Sequence, residues 1–266
     1  NSISGSQIQN FSKICDLNIS EKNVCVGSNN VLMAGFNILM IDKYIKKILE
    51  ASVTAVVYSQ VNHPDNSITR SLTGIFSPGT YFNNDTHRLT NNTTCIWVDL
   101  IESTFVLKGK YVVVGISNID IYTGKTSIME YSDQYIKNPT TFDELEQFIS
   151  IYNPSETILI SNITQSDLND IVSYIGIKSK AIHFVNLLSD TTNKNTLRAL
   201  NCEKQTYQTQ LLSRFYKFDD ITAFMELFND KVWATQSFCY LLDFIYQHNP
   251  NLVYKISEPI IENKSN

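Results

Sequence analysis

Acidic side chains on two consecutive predicted strands are the residues of this chain best placed to do chemistry. Asp99 and Asp120 lie on these strands, and Glu102 and Asp143 are nearby in sequence. Carboxylates that converge on two metal ions can activate water for the hydrolysis of a phosphodiester. The pattern places no third carboxylate beside the first two, so we interpret these acids as structural.

Other catalytic patterns are absent from the sequence. It contains no GxxxxGK[ST] phosphate-binding loop and no GxSxG nucleophile turn. The four histidines are isolated, and none stands at metal-ligand spacing from a cysteine or from another histidine. We therefore predict that this chain is not itself an enzyme and that it has no cofactor or metal site of its own.

The composition favours a folded intracellular protein and argues against a membrane protein or a basic nucleic-acid-wrapping protein. The chain has 266 residues, of which 43% are hydrophobic and 18% charged, as is typical of folded domains. A net charge of −5 argues against a basic surface that wraps nucleic acid, so any DNA contact should be local. No apolar run approaches the roughly 20 residues that a membrane helix needs. The five scattered cysteines indicate reduced thiols in an intracellular protein that is not secreted.

The first third of the chain alternates helices with strands. Apolar spacing of the helical period predicts the helices, and alternating or β-branched runs predict the strands. The predicted elements are a helix over 6–15, a strand over 16–22, a helix over 40–51, and strands over 53–61 and 68–76. The polar segment 83–94 is the best candidate for a linker, so we place a domain boundary between residues 88 and 89.

The remaining sequence predicts a second sheet. Three consecutive strands are followed by a helix, a strand, a helix and a strand, which is the order of a ribonuclease-H-like α/β sheet. These elements occupy residues 95–101, 111–122, 125–131, 139–149, 156–160, 164–175 and 181–185. From residue 195 the pattern is helical. We therefore divide the chain into residues 1–88, 89–194 and 195–266.

Several short motifs occur in an order that matches one family. They are Met33-Ala34-Gly35-Phe36, Tyr44-Ile45 with Ile48-Leu49, Ser59-Gln60, Ser77-Pro78-Gly79-Thr80, and the strand over 114–124. Together they resemble the MutS family of DNA mismatch-repair proteins, in the branch found in giant viruses and octocoral mitochondria. The resemblance implies a truncated mixed-sheet mismatch-binding domain over 1–88. It also implies a ribonuclease-H-like connector over 89–194 and a helical part over 195–266 that leads to a lever domain.

The same resemblance implies recognition of mismatched double-stranded DNA within a mismatch-repair ATPase. This chain would supply part of the mismatch-binding domain and the connector, so ATP and Mg would be expected only in the full-length protein. The resemblance further implies a homodimer and docking of downstream repair proteins, with no membrane contact. The expected location is intracellular, in a viral factory, a virion or a mitochondrion.

Four residues are carried over by position as candidates for DNA contact: Lys22, Met33, Phe36 and Arg70. Met33 and Phe36 fall beside the family's wedge, an aromatic residue of a Phe-x-Glu motif that enters the base stack where mispaired steps kink cheaply. Core packing is their alternative role. The motif itself is absent, either because the chain begins after it, which is the interpretation we favour, or because this branch has lost it. Asn37 replaces the family's usual Pro, a departure that weakens the predicted DNA contact more than the predicted fold.

Two other functions stay open. One is a ribonuclease-H-like, metal-dependent nuclease, which would depend on Asp99 and Asp120. The other is a viral interaction module that is not an enzyme and has no role on DNA.

Overall fold

The computed structural model describes residues 2–3, 7–26, 29–64, 66–82, 89–103, 109–136, 138–189, 192–216, 221–226 and 228–263. The chain forms two compact units, Asn1–Pro78 (unit 1) and Gly79–Asn266 (unit 2). Both combine helices with strands, which confirms the α/β class predicted from the sequence. Within the described part of the chain, no helix has the length and apolar character that a membrane crossing requires.

The described residues of unit 1 form a three-stranded sheet, a hairpin and two helices. Its elements in chain order are β1 (Ser2–Ile3), α1 (Ile8–Cys15), β2 (Ile19–Val26), β3 (Asn29–Gly35), a 3-10 turn (Ile38–Met40), α2 (Ile41–Glu50), β4 (Ala55–Asn62) and β5 (Ile68–Phe76). The strand order is β1-β3-β2 in the sheet, and β4 pairs with β5 in the hairpin. All strand pairs described in this unit are antiparallel, whereas the resemblance implies a mixed sheet here.

A small apolar core joins α1 and α2 to β3. Ile8, Phe11 and Cys15 are buried at the helical spacing that the sequence predicts, and they cluster with the buried Ala34 of β3. The left-handed conformation of Asp16 ends α1. These contacts fix the helices against the three-stranded sheet.

Unit 2 is built around a six-stranded mixed sheet. Its elements in chain order are β6 (Asn92–Ser103), β7 (Gly109–Asp120), β8 (Thr126–Gln134), a 3-10 turn (Pro139–Phe142), α3 (Asp143–Tyr152), β9 (Glu156–Ser161), α4 (Gln165–Ile175), β10 (Ala181–Asn186), α5 (Lys194–Cys202), α6 (Gln205–Phe215), α7 (Ile221–Glu226), α8 (Val232–His248), α9 (Pro250–Val253) and β11 (Ile260–Glu262). The strand order is β10-β9-β6-β7-β8-β11. β6, β7 and β8 form an antiparallel meander, while β9 runs parallel to both β6 and β10.

Apolar layers cover both faces of this sheet. Successive side chains of β6 alternate between them, because a strand points neighbouring residues to opposite faces. Ile96 and Val98 join the layer under α3 and α4. Cys95 and Trp97 join the layer under α8, together with apolar residues of α5 and α6. The central strands are therefore buried on both sides, as the apolar runs predict.

The limits of the compact units differ from the boundaries placed on the sequence. The helices within 195–266 pack in the same unit as the sheet, since α8 lies along both β6 and β7. In the same C-terminal part, β11 pairs with β8. Unit 2 also begins earlier than residue 89. The Gly79 N–H donates to Glu156, and the Gly79 carbonyl accepts from Thr93, so the chain is held to the sheet from this residue onward. The three functional domains stay a prediction.

The predicted linker 83–94 ends inside the fold. Residues 83–88 lie outside the described residues, but 91–94 are buried at the start of β6. The Thr94 hydroxyl donates to Asn118 Oδ1 at 2.7 Å, and Asn118 Nδ2 donates to Asn92 Oδ1 at 2.9 Å. This corrects the linker prediction for 91–94, because buried polar side chains that hydrogen-bond one another belong to the core.

Candidate nucleic-acid interface

Met33 and Phe36, two of the residues predicted to approach DNA, lie at the end of β3 and just beyond it. Met33 pairs across the sheet with Ser20 of β2. Both apolar side chains are half-buried against the core of unit 1. The Phe36 ring centroid lies 4.5 Å from that of Tyr44 and 6.4 Å from that of Phe11. The structure therefore brings these two predicted residues together, and it gives both a packing role that leaves part of each side chain accessible.

An exposed apolar turn follows Phe36 directly. Asn37 caps it: its Oδ1 accepts from the Leu39 N–H at 3.0 Å, and its carbonyl accepts from the Met40 N–H at 2.9 Å. Ile38, Leu39 and Met40 are all exposed, and Leu39 is 85% accessible. Sequence reasoning missed this feature because three apolar residues between a strand and a helix suggest burial. The only available signal is the cap-forming Asn37.

Helix α2 places three lysines next to this turn. Lys47 Nζ donates to the Cys15 carbonyl at 3.4 Å, and Lys43 Nζ lies 5.8 Å from the centre of the Tyr44 ring. Burial raises the pKa of the Cys15 thiol, and the charge of Lys47 opposes that shift only in part. Together with Lys46, these amines make the exposed face of α2 basic.

Arg70 lies apart from the other candidates in chain and sheet. It sits on β5 opposite Gln60, in the hairpin, and it is exposed. Among the described residues it has no acidic partner. Tyr58 and Leu72 face each other two pairs further along the hairpin and are also exposed. The hairpin thus offers an exposed arginine beside apolar side chains, which suits contact with a phosphate backbone.

Lys22 is placed only through its backbone. It lies in β2 and pairs with Val31 of β3, on the strand neighbouring Met33, and its side chain lies outside the described residues. The four predicted residues therefore fall into two groups. Lys22, Met33 and Phe36 lie on the β2–β3 pair or directly after it, whereas Arg70 lies on the separate hairpin.

The carboxylates that motivate the nuclease alternative lie far apart. Asp99 pairs with Val113, whereas Asp120 pairs with Asn92, seven residues from Asp99 along β6. That separation is roughly 23 Å at about 3.3 Å per residue. Two carboxylates that share a pair of metal ions must lie within a few ångströms of each other, so Asp99 and Asp120 cannot share such a site.

Each of these carboxylates is occupied locally. Asp99 Oδ2 accepts from the indole N–H of Trp233 at 2.8 Å and from that of Trp97 at 3.3 Å. Burial raises the pKa of Asp99, and these hydrogen bonds oppose the shift. Asp120 accepts from Thr123 Oγ1 at 2.6 Å and from two backbone N–H groups. No trio of His, Cys, Asp and Glu within the described ranges is arranged to hold a metal ion.

Comparison with known proteins places unit 1 in a recognised class of domain. Residues 6–85 match the family model described as MutS domain I. A mutS homologue from Acanthamoeba polyphaga mimivirus, named as a DNA mismatch repair protein, is 23% identical over 241 residues, which cover 85% of this chain and 21% of the relative. The DNA mismatch repair protein MutS of Halothermothrix orenii is 24% identical over 189 residues, or 66% of this chain and 19% of that protein.

These matches confirm the resemblance that the motifs at 33–36 and 77–80 predict. Residues 6–85 match MutS domain I, and the chain is similar to the two MutS proteins over 85% and 66% of its length. The chain spans about a fifth of the length of the curated relatives that it matches. Among solved structures, the Fowlpox virus resolvase bound to a Holliday junction aligns with 57% of this chain and 96% of its own, at 13% identity and a TM-score of 0.32. A TM-score of that size does not establish a common fold.

Proposed function

We propose that this chain takes part in the recognition of mismatched double-stranded DNA within a MutS-like mismatch-repair ATPase. The observation that carries the proposal is the match of residues 6–85 to MutS domain I, together with relatives that are named as mismatch-repair proteins. In this proposal the chain is not catalytic. ATP and Mg would act elsewhere in the full-length protein, which would function as a homodimer.

Unit 1 would contact the DNA. Two features support this role: the turn Ile38–Met40 with the lysines of α2, and Arg70 on the separate hairpin. Apolar side chains that enter the minor groove unstack base steps, and a mispaired step resists this less than a matched one. Basic side chains beside the apolar turn would hold the phosphates and set the position of the protein on the duplex.

Unit 2 would be the ribonuclease-H-like connector. Its antiparallel meander, followed by two strands parallel to the first, supports this part of the proposal. A connector would pass the DNA-bound state of unit 1 to a distant ATPase and would offer a docking face to downstream repair proteins. The local occupation of Asp99 and Asp120 is compatible with a domain that does not cleave DNA.

Mismatch binding by the complete natural protein, with and without residues 1–78 of unit 1, tests the proposal. Fluorescence anisotropy with a G·T duplex and a matched duplex should show preference for the mismatch only when residues 1–78 are present. Equal discrimination by the two proteins would contradict the assignment.

Point variants refine the test. Leu39→Ala should lower mismatch discrimination by about fivefold, because the apolar side chain that would enter the groove is lost. Arg70→Gln should weaken binding to both duplexes alike and reduce the salt dependence by about one ion. The matched control is Leu188→Ala in unit 2, whose side chain is also exposed. If Leu39→Ala behaves like this control, the turn has no role in recognition.

A further inference from the structure

A cavity of about 860 Å³ opens in unit 2, at the edge of the sheet where β6 begins and β7 ends. Small-molecule sites in proteins commonly have volumes of roughly 300–1,000 Å³. The turn between β7 and β8, the loop after α3, the loop after α4 and the strand β11 form its walls. None of these segments belongs to the proposed DNA surface of unit 1.

The floor of the cavity is a fixed array of polar groups. Asn118 and Asn92 are almost fully buried, and Asn92 Nδ2 donates to the Tyr152 carbonyl at 2.7 Å. The hydrogen-bonded chain from Thr94 through Asn118 to Asn92 holds both amides in place. A floor of this kind is preorganised for a polar ligand, because its groups need no rearrangement on binding.

Three lysines stand around this floor. Lys125 comes from the turn after β7, and Lys178 and Lys180 come from the loop after α4. All three are exposed, and none has an acidic partner among the residues that the structure describes. Like charges around one concavity raise its positive potential, so an anion that binds there relieves their mutual repulsion.

The two carboxylates of the cavity do not neutralise these lysines through direct contact. Asp120 accepts hydrogen bonds from Tyr122 and Thr123 of its own turn and from the Asn91 N–H next to β6. Glu262 accepts from the Tyr152 hydroxyl, which lies 2.6 Å from Ser127 Oγ. Burial and the charge of Glu262 raise the pKa of Tyr152 to about 12, so this hydroxyl keeps its proton and remains a donor.

Apolar side chains complete the walls. Ile151 of α3 and Ile260 of β11 both line the cavity, and each is 64% exposed. Exposed isoleucines beside a basic, polar floor fit a ligand that has both a charged and a flat apolar part. We propose that this cavity binds a small phosphorylated molecule of nucleotide size, with its phosphates at Lys125, Lys178 and Lys180 and its base or sugar against Ile151 and Ile260.

Calorimetric titration of the 266-residue chain with ADP, and separately with inorganic tripolyphosphate, tests the proposal. The chain has no phosphate-binding loop of the ATPase type, so binding of ADP would report another site. The double change Lys178→Gln and Lys180→Gln should weaken ADP binding roughly tenfold or more, since charge-assisted contacts to phosphate are lost. Lys194→Gln, on an exposed lysine of unit 2 that does not line the cavity, should leave the affinity unchanged.

The variant Ile151→Ser distinguishes binding of a nucleotide from binding of inorganic phosphate. It should weaken ADP binding and leave tripolyphosphate binding as it is. Equal effects on both ligands, or none on ADP, would overturn the nucleotide assignment. Failure of both compounds to bind at millimolar concentration would overturn the site, as would equal affinities of the lysine and control variants. Tighter binding of a single-stranded oligonucleotide than of ADP at these lysines would overturn the assignment to a small molecule.

Discussion

Gly115 lies directly beneath the first turn of α8, where a single methyl group has no room. A Cβ built on this residue would lie 2.1 Å from the Trp233 carbonyl carbon and 2.3 Å from the Ala234 nitrogen. Cβ atoms essentially never approach heavy atoms closer than 3.0 Å. Because both neighbours are backbone atoms, Gly115→Ala must displace the start of the helix rather than rotate a side chain.

The displacement would strain two hydrogen bonds that hold the same turn. The Ala234 N–H donates to Glu130 Oε2 at 2.9 Å, and the Trp233 indole donates to Asp99 Oδ2 at 2.8 Å. Overpacking costs about 1–3 kcal/mol, and loss of a capping contact costs about 1 kcal/mol. A hydrogen bond to a charged group contributes about 1.5–3 kcal/mol. Partial loss of these terms predicts a destabilisation of about 3–5 kcal/mol for unit 2, or roughly 6–20 °C in Tm.

Tryptophan fluorescence during urea unfolding measures this cost for unit 2 alone. The chain has two tryptophans, Trp97 and Trp233, and both lie in unit 2. The matched control is Gly109→Ala on the same strand, where a Cβ would meet its nearest neighbour, the Gln134 amide, at an ordinary 3.8 Å. If the two variants differ by less than about 1 kcal/mol in unfolding free energy, α8 is not seated on β7 as described.

Two further predictions concern the buried groups around Glu156. Glu156→Ala should cost about 2 kcal/mol or more in urea unfolding, because the buried Gly79 N–H loses its acceptor, whereas Glu156→Gln keeps an acceptor and should cost less; equal costs would contradict this role. Burial lowers the pKa of His248 below its ordinary value, and the charge of Glu156 opposes the shift together with a hydrogen bond from the ring to Phe244. As pH falls, His248 is protonated in the unfolded chain before it is protonated in the folded one. Its contribution to the free energy of unfolding should therefore be fully present above about pH 6.5 and should be lost as pH falls through the lowered pKa. His248→Gln should flatten that decline in thermal melts between about pH 7 and pH 5, and an unchanged slope would count against it.

The sheet of unit 2 was accessible to sequence reasoning because its strands are long, apolar and β-branched. The run 111–122 predicts a strand, and β7 occupies Gly109–Asp120. The alternation of strands and helices that follows is also observed, from α3 to β10. Such patterns are local, so the sequence reveals them without knowledge of the fold.

Features that depend on distant partners were not accessible. The polar residues 91–94 indicate a linker, yet they are buried through hydrogen bonds to β7, which lies some distance away in sequence. β11 has only three residues and is a strand because it pairs with β8. No local pattern shows that α8 packs directly on Gly115 either, because the atoms that approach this glycine are backbone atoms of a helix distant in sequence.

Some features of the candidate interface were likewise predictable from the sequence, and others were not. The order of motifs predicts the resemblance to MutS proteins and, through it, Met33 and Phe36 as candidates. Their half-buried positions are compatible with both of their predicted roles. Exposure of Leu39 depends on the capped turn that presents it, which the sequence signals only through Asn37. Whether the four candidate residues contact DNA stays a prediction.

The Ser-Pro-Gly-Thr motif at 77–80 has a meaning in the structure that its sequence does not suggest. Turn chemistry marks it as the end of a strand, but Gly79 is the first residue of unit 2 and is tightly enclosed. A Cβ on Gly79 would lie 2.2 Å from Thr93 Oγ1 and 2.5 Å from Glu156 Cβ.

Glu156 extends this attachment across the sheet. Its Oε2 accepts from the Gly79 N–H at 2.9 Å, and its Oε1 lies 2.5 Å from His183 Nε2 on β10. Gly79, the first residue of unit 2, is therefore fixed to β6 and β9, and through Glu156 to β10. If unit 1 senses distorted DNA and unit 2 relays that state, a pull on the chain at Gly79 would act directly on three strands of the sheet.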